Sequence, residues 1–221
     1  MLPKAYRIQA GDGIASGGSC ADGGNGTSAL YDASIVGRLK PALLILLALG
    51  LGVGLRFYFF LHWSQINGDS MVYGDIAKNW LQHGVYGRSF IDASGKAIHP
   101  TLIRLPGYPL FLAACFVLFG MEHYNAVLLL QIAIDLGTCL LIACFVWQMC
   151  SRRAAWIALY FAALCPFTAN FTSAALTETL SLFFITLAML GLLRIVTRGD
   201  ALAVALCAVS WSCITLLRPD G

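Results

Sequence analysis

Charge is what this sequence has least of. Asp, Glu, Lys and Arg together make 11% of the 221 residues, against about 25% in a typical soluble domain. A further 59% are hydrophobic, and that pairing excludes an ordinary soluble fold. Runs of basic residues and basic–aromatic stripes are missing as well, so nucleic acid is not an expected partner. Metal spacing is also missing: the chain has no CxxC, and His62, His83, His99 and His123 form no HxxxH. A dedicated zinc site is therefore not expected. Cys115, Cys139, Cys144, Cys150, Cys165, Cys207 and Cys213 lie in or beside apolar runs and read as small hydrophobes. There is no obvious internal repeat and no pair of broken helices of the kind that marks many transporters.

What the chain has instead is long apolar runs. The composition predicts an all-α, polytopic transmembrane protein with about five full spans: Pro41 to Leu61, Asn125 to Met149, Ala154 to Phe171, Ala174 to Leu193 and Ala201 to Leu217. Residues 1–37, rich in Gly, Ser, Ala and Asp, read as a flexible tail. Met1 to Ile8 has no apolar core, so the start does not read as a signal peptide.

One apolar stretch does not fit as a span. Pro106 to Phe119 would make about 21 Å of helix, against a hydrocarbon core of about 30 Å. If it stays on one side as a juxtamembrane or re-entrant helix, Arg38, Lys40, Arg152, Arg153, Arg194 and Arg198 all share one face. The positive-inside rule makes that face cytoplasmic, with the N-terminus on it. The aromatic cluster from Arg56 to Trp63 then suits the opposite interface.

With that topology Asp69, Glu178 and Arg218 end near the same outer face. Asp69 opens a short amphipathic stretch in which Val72, Ile76 and Trp80 recur every four residues. It can be an N-cap, a site acid, or both. Glu178 stands in the otherwise apolar Ala174-Ala-Leu-Thr-Glu-Thr-Leu180. Such a carboxylate is costly unless it faces water or the bundle, so a functional role and a bond to Thr177 or a neighbouring helix both remain open. Arg56 and Arg218 either snorkel to the interface or reach a lipid phosphate. Arg104, just before Pro106-Gly-Tyr-Pro109, either clamps a phosphate or anchors the loop. Gln131 and Asp135, one turn apart in mid-span, read as interhelical glue rather than a pathway. Asp75 has Lys78 and Asn79 beside it and reads as a solvated helix-surface pair.

The order of these parts resembles the N-terminal region of GT-C type membrane glycosyltransferases, which include the protein O-mannosyltransferases and the lipid A aminoarabinose transferase. The resemblance rests on Gly68-Asp-Ser-Met-Val-Tyr-Gly-Asp-Ile-Ala-Lys-Asn-Trp80, Arg104-Leu-Pro-Gly-Tyr-Pro-Leu-Phe-Leu112, Arg152-Arg-Ala-Ala155 and Thr177-Glu-Thr-Leu180. It covers residues 38–221 and implies that this is the front part of a longer transmembrane domain. It further implies transfer of a sugar from a polyprenyl-phosphate donor to an acceptor, with inversion, at the outer face of a bacterial inner membrane. By position Asp69 would be the catalytic base and Glu178 the second acid, with Arg56, Tyr73, Arg104 and Arg218 binding substrate. A divalent cation is compatible with the residues but not required by them. Protein O-mannosyltransferases carry an Asp-Glu pair in the first loop, whereas Asp69 here precedes Ser70, so that acceptor class is not assigned. The rival readings are a non-catalytic scaffold or lipid-binding subunit, and a transporter fragment.

Overall fold

The computed structural model describes residues 26–64, 66, 68–92 and 95–218. Eight helices and one hairpin follow in chain order: α1 (Gly26–Trp63), α2 (Asp69–His83), β1 (Gly87–Asp92), β2 (Gly95–Pro100), α3 (Gly107–Phe119), α4 (Tyr124–Met149), α5 (Arg152–Ala163), α6 (Pro166–Phe171), α7 (Glu178–Arg198) and α8 (Ala201–Leu217). Helix α1 begins inside the stretch expected as a tail, and residues 1–25 lie outside the described residues. Leu43–Gly221 forms one compact unit, which holds every element from α2 onward.

Length sorts the helices. Ala42–Trp63 of α1, α4 and α7 are apolar over 22, 26 and 21 residues, enough to cross a membrane. Helix α3 has 13 residues, about 20 Å of rise, and falls short. The expected span from 154 to 171 is not one helix: α5 stops at Ala163 and α6 restarts at Pro166. The reason is local, since Pro166 has no N–H to continue the α5 ladder but fits the first turn of a new helix. Helix α8 has 17 residues, about 25 Å.

Helix ends follow the sequence closely. Ser151 accepts a bond from Ala154 N at 3.2 Å and caps α5, and Asp200 accepts from Ala203 N at 2.7 Å and caps α8. Between α7 and α8, Gly199 takes the left-handed conformation (φ 67°) that closes α7 and permits the tight return. That return lays α8 along α7, where Gly191 lets the Cys207 backbone approach closely.

The polar stretch after α1 contains a hairpin, with β1 and β2 paired antiparallel from Gly87 opposite Pro100 to Asp92 opposite Gly95. Helix α2 holds it. Asp75 accepts from Ser89 N at 2.6 Å and from Ser89 Oγ at 2.9 Å, and Asn79 Nδ2 donates to Gly87 O at 3.0 Å. Asp75 is thus a hairpin clip, while Lys78 pairs with Glu122 at 2.7 Å.

The core sits where α2 and α3 meet the ends of the longer helices. Tyr73 and Ala77 of α2 and Tyr108, Leu112 and Phe116 of α3 pack with Val127 and Leu128 of α4, Leu180 of α7 and Leu217 of α8. Tyr108 is fully buried, and its hydroxyl donates to Gln131 Oε1 at 2.6 Å. Gln131 Nε2 in turn donates to Ala174 O at 2.9 Å. Gln131 therefore joins α3, α4 and the entry to α7, because a buried amide needs partners on both its atoms.

Candidate functional site

Helix α2 starts without a side-chain cap: Gly68 occupies the cap position with φ 54° and ψ −119°. The Asp69 carboxylate turns instead to Arg104, whose Nη2 donates to Asp69 Oδ1 at 2.5 Å. Arg104 reaches it from the segment between β2 and α3. That segment is pinned by the Tyr86 hydroxyl, which donates to the Arg104 carbonyl at 2.8 Å. The same guanidinium lies over the Tyr73 ring, 5.5 Å from its centroid. Tyr73 meets Tyr108 edge-on, with ring centroids 5.0 Å apart. Arg104 Nε is buried in this setting and has no hydrogen-bond partner among the described residues.

A second acid–base pair stands nearby on other elements. Glu178 opens α7, and Arg218 follows the last turn of α8, their charged ends 3.9 Å apart. They meet because Gly107 lets α3 press against the end of α8: a Cβ there would stand 2.6 Å from the Leu216 carbonyl oxygen. Tyr73 feels both pairs. Burial pushes its phenol above the ordinary value, Arg104 opposes that, Asp69 and Glu178 add to it, and Arg218 opposes it again. Asp69, Tyr73, Arg104, Glu178 and Arg218, far apart in sequence, thus share one electrostatic neighbourhood. Among the described residues two carboxylates and two guanidiniums meet there.

A cavity of about 560 Å³ opens beside the second pair, lined by Asp135, Phe167, Phe171, Glu178, Ser181 and Arg218 among others. Its polar lining is under-satisfied. Among the described residues Glu178 Oε2, Thr179 Oγ1 and Ser181 Oγ are buried with no hydrogen-bond partner, and such groups cost free energy until something supplies the missing bonds. Thr179, Ser181 and the α6 aromatics were not singled out from sequence. The available signal was the polar run Thr177-Glu-Thr-Leu-Ser181 at the start of an apolar helix.

Arg56 is elsewhere. Neither the snorkelling nor the phosphate-reaching position expected from sequence is found, because α1 continues for seven residues beyond it, about 10 Å. The side chain is fully buried and paired with Asp135, the shortest contact being 2.5 Å. Arg56 also donates to the Gly52 carbonyl at 3.0 Å and to the Ala163 carbonyl at 2.7 Å. The last of these is one of the carbonyls that the α5–α6 break leaves without a helical partner. Arg56 thus caps a broken helix.

Among the described residues no group of three or more His, Cys, Asp or Glu side chains could hold a metal ion. Comparison of the chain with protein-family models, curated proteins and solved structures finds no match.

Proposed function

We propose that the chain carries the site of a membrane glycosyltransferase that moves a sugar from a polyprenyl-phosphate donor to an acceptor at the outer face of a bacterial inner membrane. In this reading α5 with α6 forms one crossing and α8 another. With α1, α4 and α7 they make five, keep the arginine-rich loops and the N-terminus cytoplasmic, and put the Asp69 cluster outside. The observation that carries the reading is the gathering of Asp69, Tyr73, Arg104, Glu178 and Arg218, the last two of which line an under-satisfied cavity.

The chemistry is a single displacement. The acceptor hydroxyl oxygen attacks the anomeric carbon and its proton goes to Asp69. The bond between that carbon and the phosphate oxygen breaks, and the phosphate leaves with the electron pair. Arg104 and Arg218 neutralise the charge that builds on it. Arg104 also controls the base, because an arriving phosphate competes for its guanidinium and frees the Asp69 carboxylate to take a proton. The apolar share of the cavity suits a prenyl chain, and Glu178 with its unpartnered oxygen orients hydroxyls.

The test is turnover of a labelled polyprenyl-phosphate sugar by the protein in liposomes, with membrane extract as the source of acceptor. Asp69→Asn is expected to lower it by about 10²–10⁴-fold, the range for losing a general base. Equal turnover in Asp69→Asn and the parent would overturn the assignment and favour a non-catalytic lipid-binding scaffold.

A further inference from the structure

At the far end of α7 from Glu178, a second cavity of about 340 Å³ is lined by Cys144, Trp147 and Gln148 of α4 and by Arg194 and Arg198 of α7. Arg194 lies sixteen residues beyond Glu178, about 24 Å along the helix, so this cavity belongs to the opposite membrane interface. Arg194 and Arg198 are one turn apart and therefore point to the same side of α7. Arg194 Nε is buried with no hydrogen-bond partner among the described residues. Among the described residues its carboxylate contact is a long 3.4 Å approach to Asp200, whose other oxygen caps α8. Among the same residues no carboxylate pairs with Arg198. Gln148 Nε2 is held only weakly, at 3.5 Å from the Cys144 carbonyl and 3.4 Å from its sulfur. Several donors thus face a small space with too few acceptors. Arg152 and Arg153 follow directly on the α4 end that carries Trp147 and Gln148.

We infer that Arg194, Arg198 and Gln148 form a binding site for the phosphate headgroup of an anionic phospholipid in the leaflet on the arginine-rich side. The anion follows from charge: among the described residues two guanidiniums meet one carboxylate, that of Asp200 at Arg194, which leaves a net positive pocket, and guanidinium forks match phosphate oxygens. Lipid rather than a soluble anion follows from what surrounds the pocket. Trp147, which lines the pocket, is 62% exposed, and Leu140, one turn before Cys144 on the same side of α4, is 40% exposed. An apolar helix face and an indole at the rim offer a seat for acyl chains and glycerol directly beneath the headgroup. Basic pockets between transmembrane helices on the cytoplasmic side take lipid headgroups in this way. The inference depends on membrane insertion and not on sugar transfer.

The test uses the full chain in bilayers of phosphatidylcholine with a minor fraction of phosphatidylglycerol, and reads the motionally restricted fraction of each spin-labelled lipid. The parent protein is expected to retain phosphatidylglycerol over phosphatidylcholine. Arg194→Gln with Arg198→Gln should cut that preference by on the order of tenfold, from the per-arginine attraction of a charged leaflet. Arg194→Lys with Arg198→Lys should keep most of it, which separates lost charge from lost folding. Arg152→Gln with Arg153→Gln should leave it nearly intact. An equal loss in the Arg152/Arg153 variant would reduce the site to diffuse attraction. Displacement of the lipid by inorganic phosphate, at ionic strength matched with chloride, would reassign the site to the free anion. Either result overturns the inference.

Discussion

Arg56 with Asp135 and Arg104 with Asp69 are the same chemical pair in two settings. The first is dry: side-chain exposures are 0% and 3%, and the arginine also satisfies two backbone carbonyls. The second is wet, at 31% and 58%, with one guanidinium nitrogen still unpartnered. A saturated pair in a low-dielectric interior is held in place because losing either partner strands a charge. A half-exposed pair is worth little to stability and can be parted by a ligand. By that criterion Arg56 and Asp135 are architecture, and Asp69 and Arg104 are the pair available to the chemistry proposed above.

The sharpest way to break this contrast is to delete one arginine. Arg56→Ala strands the Asp135 carboxylate and the Ala163 carbonyl, and should cost about 3–5 kcal/mol of stability, read as a large fall in thermal midpoint in detergent. Replacing both partners, Arg56→Met with Asp135→Leu, should recover most of that. Asp69→Asn should cost no more than about 1 kcal/mol, the usual worth of an exposed pair. If Asp69→Asn proved as damaging as Arg56→Ala, the outer cluster would be structural too.

A smaller effect is expected where the outer cluster is assembled. Gly107→Ala would set a Cβ 2.6 Å from the Leu216 carbonyl oxygen, a backbone atom that cannot swing aside. The α8 end must shift, carrying Arg218 from Glu178, at a cost of about 1–3 kcal/mol. Gly50→Ala, where nothing lies within 4 Å of the new Cβ, is the control; it should be neutral or slightly stabilising, as alanine is the better helix former. Similar midpoints for the two variants would mean that α3 does not fix the site.

Which of these features could be read from sequence depends on whether their causes are local. Caps at Ser151 and Asp200, the turn at Gly199 and the long apolar helices have causes within a few residues, and the sequence carries them. The short α3 was legible from its length alone. The α5–α6 break was written in Pro166, yet mean hydropathy over 154–171 hides one proline in an apolar run. The hairpin was harder, because what stabilises β1 is Asp75 and Asn79 on α2, polar residues that look like a solvated helix face. For the site, order along the chain was enough to nominate Asp69, Glu178 and Arg218, but Arg56 was misplaced. Its partner Asp135 lies 79 residues away, and no local pattern signals a buried pair across that distance.

The finest test of the outer cluster is the Tyr73 phenol, which reports its neighbours without any substrate. Burial raises its pKa above the ordinary 10.0, with Arg104 the largest opposing charge and Asp69 next in the same direction as burial. Folding therefore favours the protonated form. Its contribution to stability is complete below the unfolded phenol's value near 10 and is lost as pH rises through the higher folded value. An ultraviolet titration of the parent minus Tyr73→Phe isolates this one group. Arg104→Gln should move its midpoint further up, because the attraction that favours phenolate is gone. Asp69→Asn should move it down, because a repelling carboxylate is gone. Opposite shifts from two residues 35 positions apart would fix all three side chains at one point in solution. Shifts of the same sign, or none from Asp69→Asn, would mean that the carboxylate and the phenol do not share the neighbourhood on which the proposed chemistry depends.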